Sequence, residues 1–214
     1  RDFNMETLSE LIKRYPLLAS CESEIQQATD LIIKTFESGN RLYICGNGGS
    51  AADAEHIVGE LMKSFVKKRE IPKEFCGKLS DIHEEYGEEL GAKLQGALPA
   101  ISLTAQEGIA TAYLNDVDGQ LLYAQLVNGY GVEDDCFLGI STSGNSKNCV
   151  NAAEVAKCIG VKVLSLTGAK ESKLLNISDC TVRVPENETF MIQEYHLPIY
   201  HYLCAATEKA FFGK

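Results

Sequence analysis

The sequence predicts an α/β protein built on a doubly wound parallel sheet that is flanked by helices. Three observations carry this prediction: short apolar runs of β-type residues recur along the chain, helical patterns separate several of them, and Gly-rich or Ser-rich loops follow two of them. Alternating strands and helices favour a parallel sheet that is covered on both faces. With 214 residues, of which 45% are hydrophobic, a single domain over residues 1–214 is the expected organisation.

The first elements of this fold are N-terminal helices within residues 1–38. Apolar side chains recur at helical spacing at Ile25, Ala28, Ile32 and Phe36. Gly39 then suits the left-handed conformation in which many helices end. The spacing therefore predicts a helix over residues 20–38.

The strands of the predicted sheet are five apolar runs. They cover Leu42–Cys45, Ala100–Leu103, Cys136–Ile140, Val161–Leu166 and Cys180–Val184. A long helical pattern follows the first run, and another covers Asn148–Ile159. The last stretch, from about Thr189 to Phe212, is long and amphipathic and predicts a closing helix.

Residues 64–98 do not fit the repeating unit of strand and helix. They are highly charged, and they separate two expected strands by far more than a normal loop. We predict that they form a helical insertion. Four glutamates in this segment, Glu84, Glu85, Glu88 and Glu89, are expected to form a solvated helix face.

The overall charge disfavours several classes of partner. Twenty Lys and Arg against thirty Asp and Glu give a formal charge of −10, which argues against general binding of nucleic acid or of an anionic membrane. No apolar run reaches the roughly 18 residues that a membrane helix needs. Eight cysteines are scattered without a CxxC pair, which favours reduced thiols. A cytoplasmic protein that binds neither nucleic acid nor membrane is expected.

Two loops follow predicted strands and suit the binding of a phosphate. The first is Cys45-Gly46-Asn47-Gly48-Gly49-Ser50, and the second is Ser141-Thr142-Ser143-Gly144-Asn145-Ser146. In an open parallel sheet, ligands bind beyond the carboxyl ends of the strands, where helix N-termini present free N–H groups. Either loop alone is equally well explained by turn and capping residues. Two such loops after strands favour a phosphate site.

The first loop lacks the dinucleotide-binding spacing, which disfavours a dehydrogenase.

Two helical segments carry candidate acid and base groups. His56 and Glu60 are four residues apart on the helix after the first loop, where they can share a metal, divide a proton transfer or form a surface pair. On the closing helix, Gln193 and His196 lie on one stripe, whereas His201 is turned by roughly 80° from Gln193. The spacing alone leaves the choice between His196 and His201 open.

Three segments taken together resemble the phosphoheptose isomerases, a family of sugar isomerase (SIS) domain enzymes. They are CGNGGSAADAEH, GISTSGNSKN and IQEYHLPIYH, and the resemblance covers about residues 1–63 and 99–213. It implies a flavodoxin-like doubly wound fold that assembles as a homotetramer with sites between subunits. It also implies an aldose–ketose isomerase that converts sedoheptulose 7-phosphate to D-glycero-D-manno-heptose 7-phosphate through an enediol.

The resemblance assigns a role to each matching residue. Glu60 and His201 match the acid/base pair of the family, which favours His201 over His196. Some members bind zinc, one ion per site, and the matching ligands are His56, Glu60, Gln193 and His201. The residues matching the sugar and phosphate pocket are Asn47, Gly48, Gly49, Ser50, Ser141, Thr142, Ser143, Ser146 and Gln193.

Three departures from the family pattern are present, and two of them, the missing carboxylates, leave the substrate open. The insertion at 64–98 is absent from the usual members, Ala105 stands near a position where the family typically has Asp, and residues 188–191 lack the Asp that usually precedes Ile192. The alternative functions are an isomerase of another ketose phosphate and a non-catalytic SIS protein, either a sugar-phosphate sensor or a scaffold that binds the replication initiator DnaA. The joint presence of the four zinc-ligand matches favours catalysis, because a scaffold needs no acid/base cluster.

Overall fold

The centre of the molecule is a five-stranded parallel sheet with the strand order β2-β1-β3-β4-β5. A computed structural model describes residues 7–213 of the chain. The strands are β1 (Leu42–Cys45), β2 (Ala100–Ser102), β3 (Cys136–Ile140), β4 (Lys162–Thr167) and β5 (Cys180–Arg183). Because β2 lies on one side of β1 and the later strands on the other, the sheet is doubly wound and reverses its order between β1 and β3. The predicted fold class is confirmed.

Ten α-helices are found within residues 7–213. They are α1 (Leu8–Arg14), α2 (Glu22–Glu37), α3 (Gly49–Met62), α4 (Lys73–Ile82), α5 (Glu84–Lys93), α6 (Glu107–Asp116), α7 (Leu122–Tyr130), α8 (Lys147–Ile159), α9 (Lys173–Ile177) and α10 (Thr189–Phe212). Pro16–Cys21 and Gly119–Leu121 form short 3₁₀ turns. The helix predicted over residues 20–38 is α2, which begins at Glu22. It begins later than predicted because a 3₁₀ turn, with Pro16 at its first position, precedes it. Of the predicted N-terminal helices, residues 1–6 lie outside the described residues.

Helices cover both faces of the sheet, as the alternation of side chains along β1 requires. Leu42 and Ile44 belong to a core cluster with α2, α3 and α10, whereas Tyr43 and Cys45 belong to a second cluster with α7 and α8. Successive residues of a strand point to opposite faces, so a strand that is apolar throughout needs a cover on each side. None of the helices in the described part of the chain is long and apolar enough to cross a membrane.

The insertion at 64–98 is helical, as predicted. Helices α4 and α5 pack mainly against each other, no side chain of α4 is buried, and the four predicted glutamates are exposed. Two segments connect the helices of the insertion to the rest of the fold, and we call them its stems: residues 64–72 and residues 94–98. The stems are joined to each other, because Gly96 N donates to Arg69 O at 2.9 Å and an antiparallel bridge pairs Glu70 with Gln95. The insertion is thus a helical hairpin that is connected to the rest of the fold through its two stems.

Candidate active site

The two predicted loops meet where β1 and β3 lie side by side. The first loop links β1 to α3 and the second links β3 to α8, so both lie beyond the carboxyl ends of adjacent strands. Asn47 Nδ2 donates to Asn148 Oδ1 at 2.9 Å, and Asn148 Nδ2 donates to Asn47 Oδ1 at 2.8 Å. This reciprocal amide pair ties the first loop to the start of α8, directly after the second loop, at the switch point, which is the usual ligand site of such sheets.

The glycines of the first loop allow close packing around the start of α3. A Cβ at Gly46 would lie 2.4 Å from the carbonyl oxygen of Ser50, and Gly48 has φ +56, so both positions require glycine. A Cβ at Gly49 would lie 2.7 Å from Gln193 Nε2. The side chain of Gln193, on α10, therefore lies directly against the loop with which it was predicted to form the pocket.

The second loop forms a compact hydroxyl-rich turn. Ser141 and Ser146 share a hydrogen bond between their Oγ atoms at 2.9 Å, and Gly144, at φ +63, donates its N–H to Ser141 O at 2.9 Å. Thr142 and Ser143 line a cavity of about 250 Å³. The segment after β4, the residues between β5 and α10, and the start of α10 complete its wall, which includes Lys170, Glu171 and Glu186. Lys170 is a cation at this site that sequence reasoning missed.

The last turns of α3 and the middle of α10 bring the predicted acid and base groups together. His56 Nε2 lies 3.3 Å from Glu60 Oε1, and Lys63 Nζ lies 3.1 Å from Glu60 Oε2. The rings of His56 and His201 have centroids 5.0 Å apart. The Glu60 side chain is 15% exposed and that of His56 is 41% exposed, so the group is open to a ligand but partly shielded from water.

The environment of His201 favours its neutral form. Partial burial and the neighbouring His56 lower the pKa of His201, whereas Glu60 acts in the opposite direction. A neutral imidazole has one N–H donor and one nitrogen acceptor. His201 is therefore equipped to donate a proton to an oxygen and to accept one.

A hydrogen-bond chain through the buried Tyr200 orients His56. Tyr200 OH donates to Asp53 Oδ1 at 3.1 Å and lies 3.0 Å from His56 Nδ1. A hydroxyl has one proton, so Tyr200 accepts the hydrogen bond from His56 Nδ1–H, and His56 Nε2 is left facing Glu60. Burial raises the pKa of Asp53, against the opposing effects of Tyr200 and His56. Sequence reasoning did not assign Asp53 a role, although it precedes His56 by three residues on α3.

The two histidines of α10 lie in different environments. His196 is fully buried, its Nε2 lies 3.4 Å from Thr167 O, and its Nδ1 has no hydrogen-bond partner. Burial lowers the pKa of His196 to about 4. The structure thus places His196 in the core and His201 beside His56 and Glu60.

Two of the four predicted zinc ligands lie together, and a third lies apart from them. The donor types suit zinc, which binds imidazole nitrogens and carboxylate oxygens. His56 Nε2 and Glu60 Oε1 lie 3.3 Å apart, a separation that two ligands of one zinc ion can have, whereas Gln193 lies against Gly49, about two helical turns before His201. Over residues 7–213, no group of three or more His, Cys, Asp and Glu side chains could hold a metal ion. Zinc stays a prediction of the resemblance.

Comparison with known proteins places this geometry in a family. Two SIS domain models match residues 6–78 and 123–207. A phosphoheptose isomerase from Aneurinibacillus thermoaerophilus is 36% identical over 188 residues, which are 88% of this chain and 82% of that protein. The chain belongs to the phosphoheptose isomerase family. The solved phosphoheptose isomerase from Francisella tularensis superposes with a TM-score of 0.75 at 30% identity over 92% of this chain and 91% of that one. The one from Neisseria gonorrhoeae gives 0.73 at 27% identity, over 94% of each chain.

Membership of the phosphoheptose isomerase family confirms the resemblance, and the structure shows what lies at one of the departures. Ala105, near which the resemblance predicts an Asp, follows β2. Thr104 Oγ1, next to it, donates a hydrogen bond to Glu55 Oε1 at 2.9 Å. Glu55 is on α3, so this chain places a carboxylate at the end of β2 from a different element.

Proposed function

We propose that this protein is a phosphoheptose isomerase that converts sedoheptulose 7-phosphate to D-glycero-D-manno-heptose 7-phosphate. The observation that carries the proposal is that Glu60, on α3, and His201, on α10, both lie beside His56. The loops that suit a phosphate lie at the other end of α3. The names of the similar proteins, all phosphoheptose isomerases, support the same substrate class.

The length of α3 suits a long sugar phosphate. Ser50 lies in its first turn and Glu60 in its last, so the two backbones are on the order of 15 Å apart at 1.5 Å per residue. Helical side chains point back toward the N-terminus, which brings the Glu60 carboxylate closer to the loops. A substrate with its phosphate at one end and its reacting carbons at the other matches this separation, and the bound phosphate would position the reacting end.

The mechanism assigns the two proton transfers to two groups. The Glu60 carboxylate removes a proton from C1 of the ketose, the electron pair forms the C1–C2 double bond, and neutral His201 donates a proton to the C2 oxygen, which gives a cis-enediol. His201 then takes the proton from the C1 hydroxyl, the C1 carbonyl forms, and Glu60 returns its proton to C2. Lys63 holds one oxygen of Glu60, and His56 Nε2 lies beside the other. General acid–base catalysis of this kind contributes about 10²–10⁴-fold.

Assembly, location and metal belong to the same proposal. A homotetramer with sites between subunits is supported by apolar side chains left exposed on the surface, such as Leu114, Val117 and Phe190, which a subunit interface would cover. A cytoplasmic location is supported by eight free cysteines. Zinc at His56, Glu60, Gln193 and His201 is tested by metal analysis of the purified protein.

The proposal is tested by incubating the purified, metal-analysed protein with sedoheptulose 7-phosphate in deuterated water. We expect the heptose 7-phosphate aldose to form with deuterium at C2, because the proton carried by Glu60 exchanges with solvent. Turnover of a different ketose phosphate alone would keep the reaction and replace the substrate. Tight binding of sugar phosphates without turnover would contradict the proposal and indicate a sensor.

A further inference from the structure

A buried ion pair joins the first stem of the insertion to the end of α10. Arg69 Nε lies 2.6 Å from Glu208 Oε1, and both side chains are 0% exposed. Removing two charges from water is costly, so such a pair persists only where its geometry and additional hydrogen bonds compensate the desolvation. The other hydrogen bonds of both side chains show what this pair holds in place.

The Glu208 carboxylate organises the loop that leaves α3. It accepts hydrogen bonds from the backbone N–H groups of Phe65, Val66 and Lys67 at 2.9, 2.7 and 2.9 Å. Together with Arg69, these donors satisfy a fully buried carboxylate. The loop therefore wraps around one side chain of α10.

The remaining donors of Arg69 bind the last turn of α3. Arg69 Nη2 donates to Glu60 O at 2.9 Å and Nη1 donates to Leu61 O at 2.6 Å. Carbonyls in the last turn of a helix have no partner within the helix, so the guanidinium satisfies groups that α3 leaves free. One planar side chain thus ties the turn that carries Glu60 to the helix that carries His201.

The same loop also approaches His201 directly. The Phe65 ring lies 5.8 Å from the His201 ring, between centroids. Arg69 contacts Glu60 only through its backbone, and no contact joins Arg69 or Glu208 to the imidazole or carboxylate groups assigned to proton transfer. The ion pair acts on the geometry of those groups and not on the substrate.

We propose that Arg69 and Glu208 are positioning residues that set the distance between Glu60 and His201. The proposal rests on the proposed function, in which those two groups move the protons. Replacing a buried ion pair by apolar side chains of similar volume is often neutral for stability. Here three backbone N–H groups and two carbonyls also lose a hydrogen bond, so the folding of any variant is checked before its turnover is interpreted. A shift of about 1 Å in a reacting group costs on the order of 100-fold in rate, which makes its geometry matter for turnover.

The test is the double variant Arg69→Met/Glu208→Leu, which removes both charges and leaves neither one buried alone. We expect a folded protein whose kcat for sedoheptulose 7-phosphate falls by about 10- to 100-fold while KM changes by less than about threefold. The matched control is Glu74→Gln/Lys78→Gln, which removes an exposed ion pair within α4 and leaves kcat unchanged. A folded Arg69→Met/Glu208→Leu protein with wild-type kcat would overturn the proposal.

Arg69→Lys keeps the test decisive if the double variant does not fold. The ammonium keeps a positive charge beside Glu208, but the planar fork that binds Glu60 O and Leu61 O is lost. Assayed well below its unfolding temperature, this variant is expected to lose at least fivefold in kcat, and an unchanged kcat would overturn the proposal. Absence of turnover in the wild-type protein would instead overturn the proposed function, on which the positioning role depends.

Discussion

The two ends of the candidate site are built in different ways. At the phosphate end, each loop lies within a run of six residues at the end of a strand, and its shape comes from its own glycines and hydroxyls. At the acid–base end, Glu60 and His201 come from helices far apart in the chain. Their arrangement depends on contacts such as those of Tyr200 with Asp53 and of Arg69 with Glu208. The first end is specified locally, and the second by tertiary structure.

This difference predicts different kinetic consequences for substitutions at the two ends. A residue of the phosphate end contributes binding energy, so its loss is expected mainly in KM. A residue of the acid–base end acts on the proton transfers, so its loss is expected mainly in kcat.

The largest effect is expected for Glu60→Gln. The amide has nearly the shape of the carboxylate but cannot accept a proton, so kcat is expected to fall by about 10²- to 10⁴-fold with little change in KM. The measurement is steady-state turnover of sedoheptulose 7-phosphate, with circular dichroism as the check of folding. Glu154→Gln, at an exposed position on α8, is the control. Near-normal turnover in Glu60→Gln would remove the proposed base.

The next effect concerns the second histidine of α10 and appears in stability. Because the pKa of His196 is lowered to about 4 in the fold from an ordinary value of 6.5, the unfolded chain binds a proton in this range that the folded chain excludes. His196 therefore makes stability fall as the pH falls from 6.5 to 4, by about 3 kcal/mol. Urea unfolding at pH 7 and pH 4 measures this.

His196→Gln supplies the comparison for that measurement. The variant has no imidazole to titrate, so its free energy of unfolding is expected to fall by about 3 kcal/mol less than that of the wild type between pH 7 and pH 4. Its turnover at pH 7 is expected to be preserved, because His196 lies in the core. Equal pH dependence in both proteins, or a loss of turnover comparable to that of Glu60→Gln, would contradict the separation of His196 from the site.

The smallest effect is expected for Thr142→Val at the phosphate end. Valine keeps the shape of threonine but removes a hydroxyl that can donate to a phosphate oxygen, so KM is expected to rise about tenfold with kcat within about threefold. Thr111→Val, which alters a hydroxyl bonded only to carbonyls of its own helix, is the matched control. A fall in kcat without a rise in KM for Thr142→Val would contradict the expectation that the phosphate end contributes to binding and the acid–base end to turnover.

The same contrast explains how much the sequence could predict. The bounds of β3 and α10, and the two loops, follow from local patterns of apolar, glycine and hydroxyl residues, and the structure has them where they were expected. The partner of Arg69 could not be predicted, because Glu208 lies at the other end of the chain and nothing in either neighbourhood indicates a pair. The choice of His201 over His196 likewise came from family resemblance, since helical spacing left it open.

A crystal structure of Glu60→Gln with sedoheptulose 7-phosphate would locate both ends of the bound substrate. We expect the phosphate to contact Ser50 and the hydroxyls of residues 141–146, and C1 and C2 to lie between residue 60 and His201. A phosphate bound beside His56 would contradict this arrangement. So would a sugar bound elsewhere, such as the cavity of about 530 Å³ between Glu24 and Arg183.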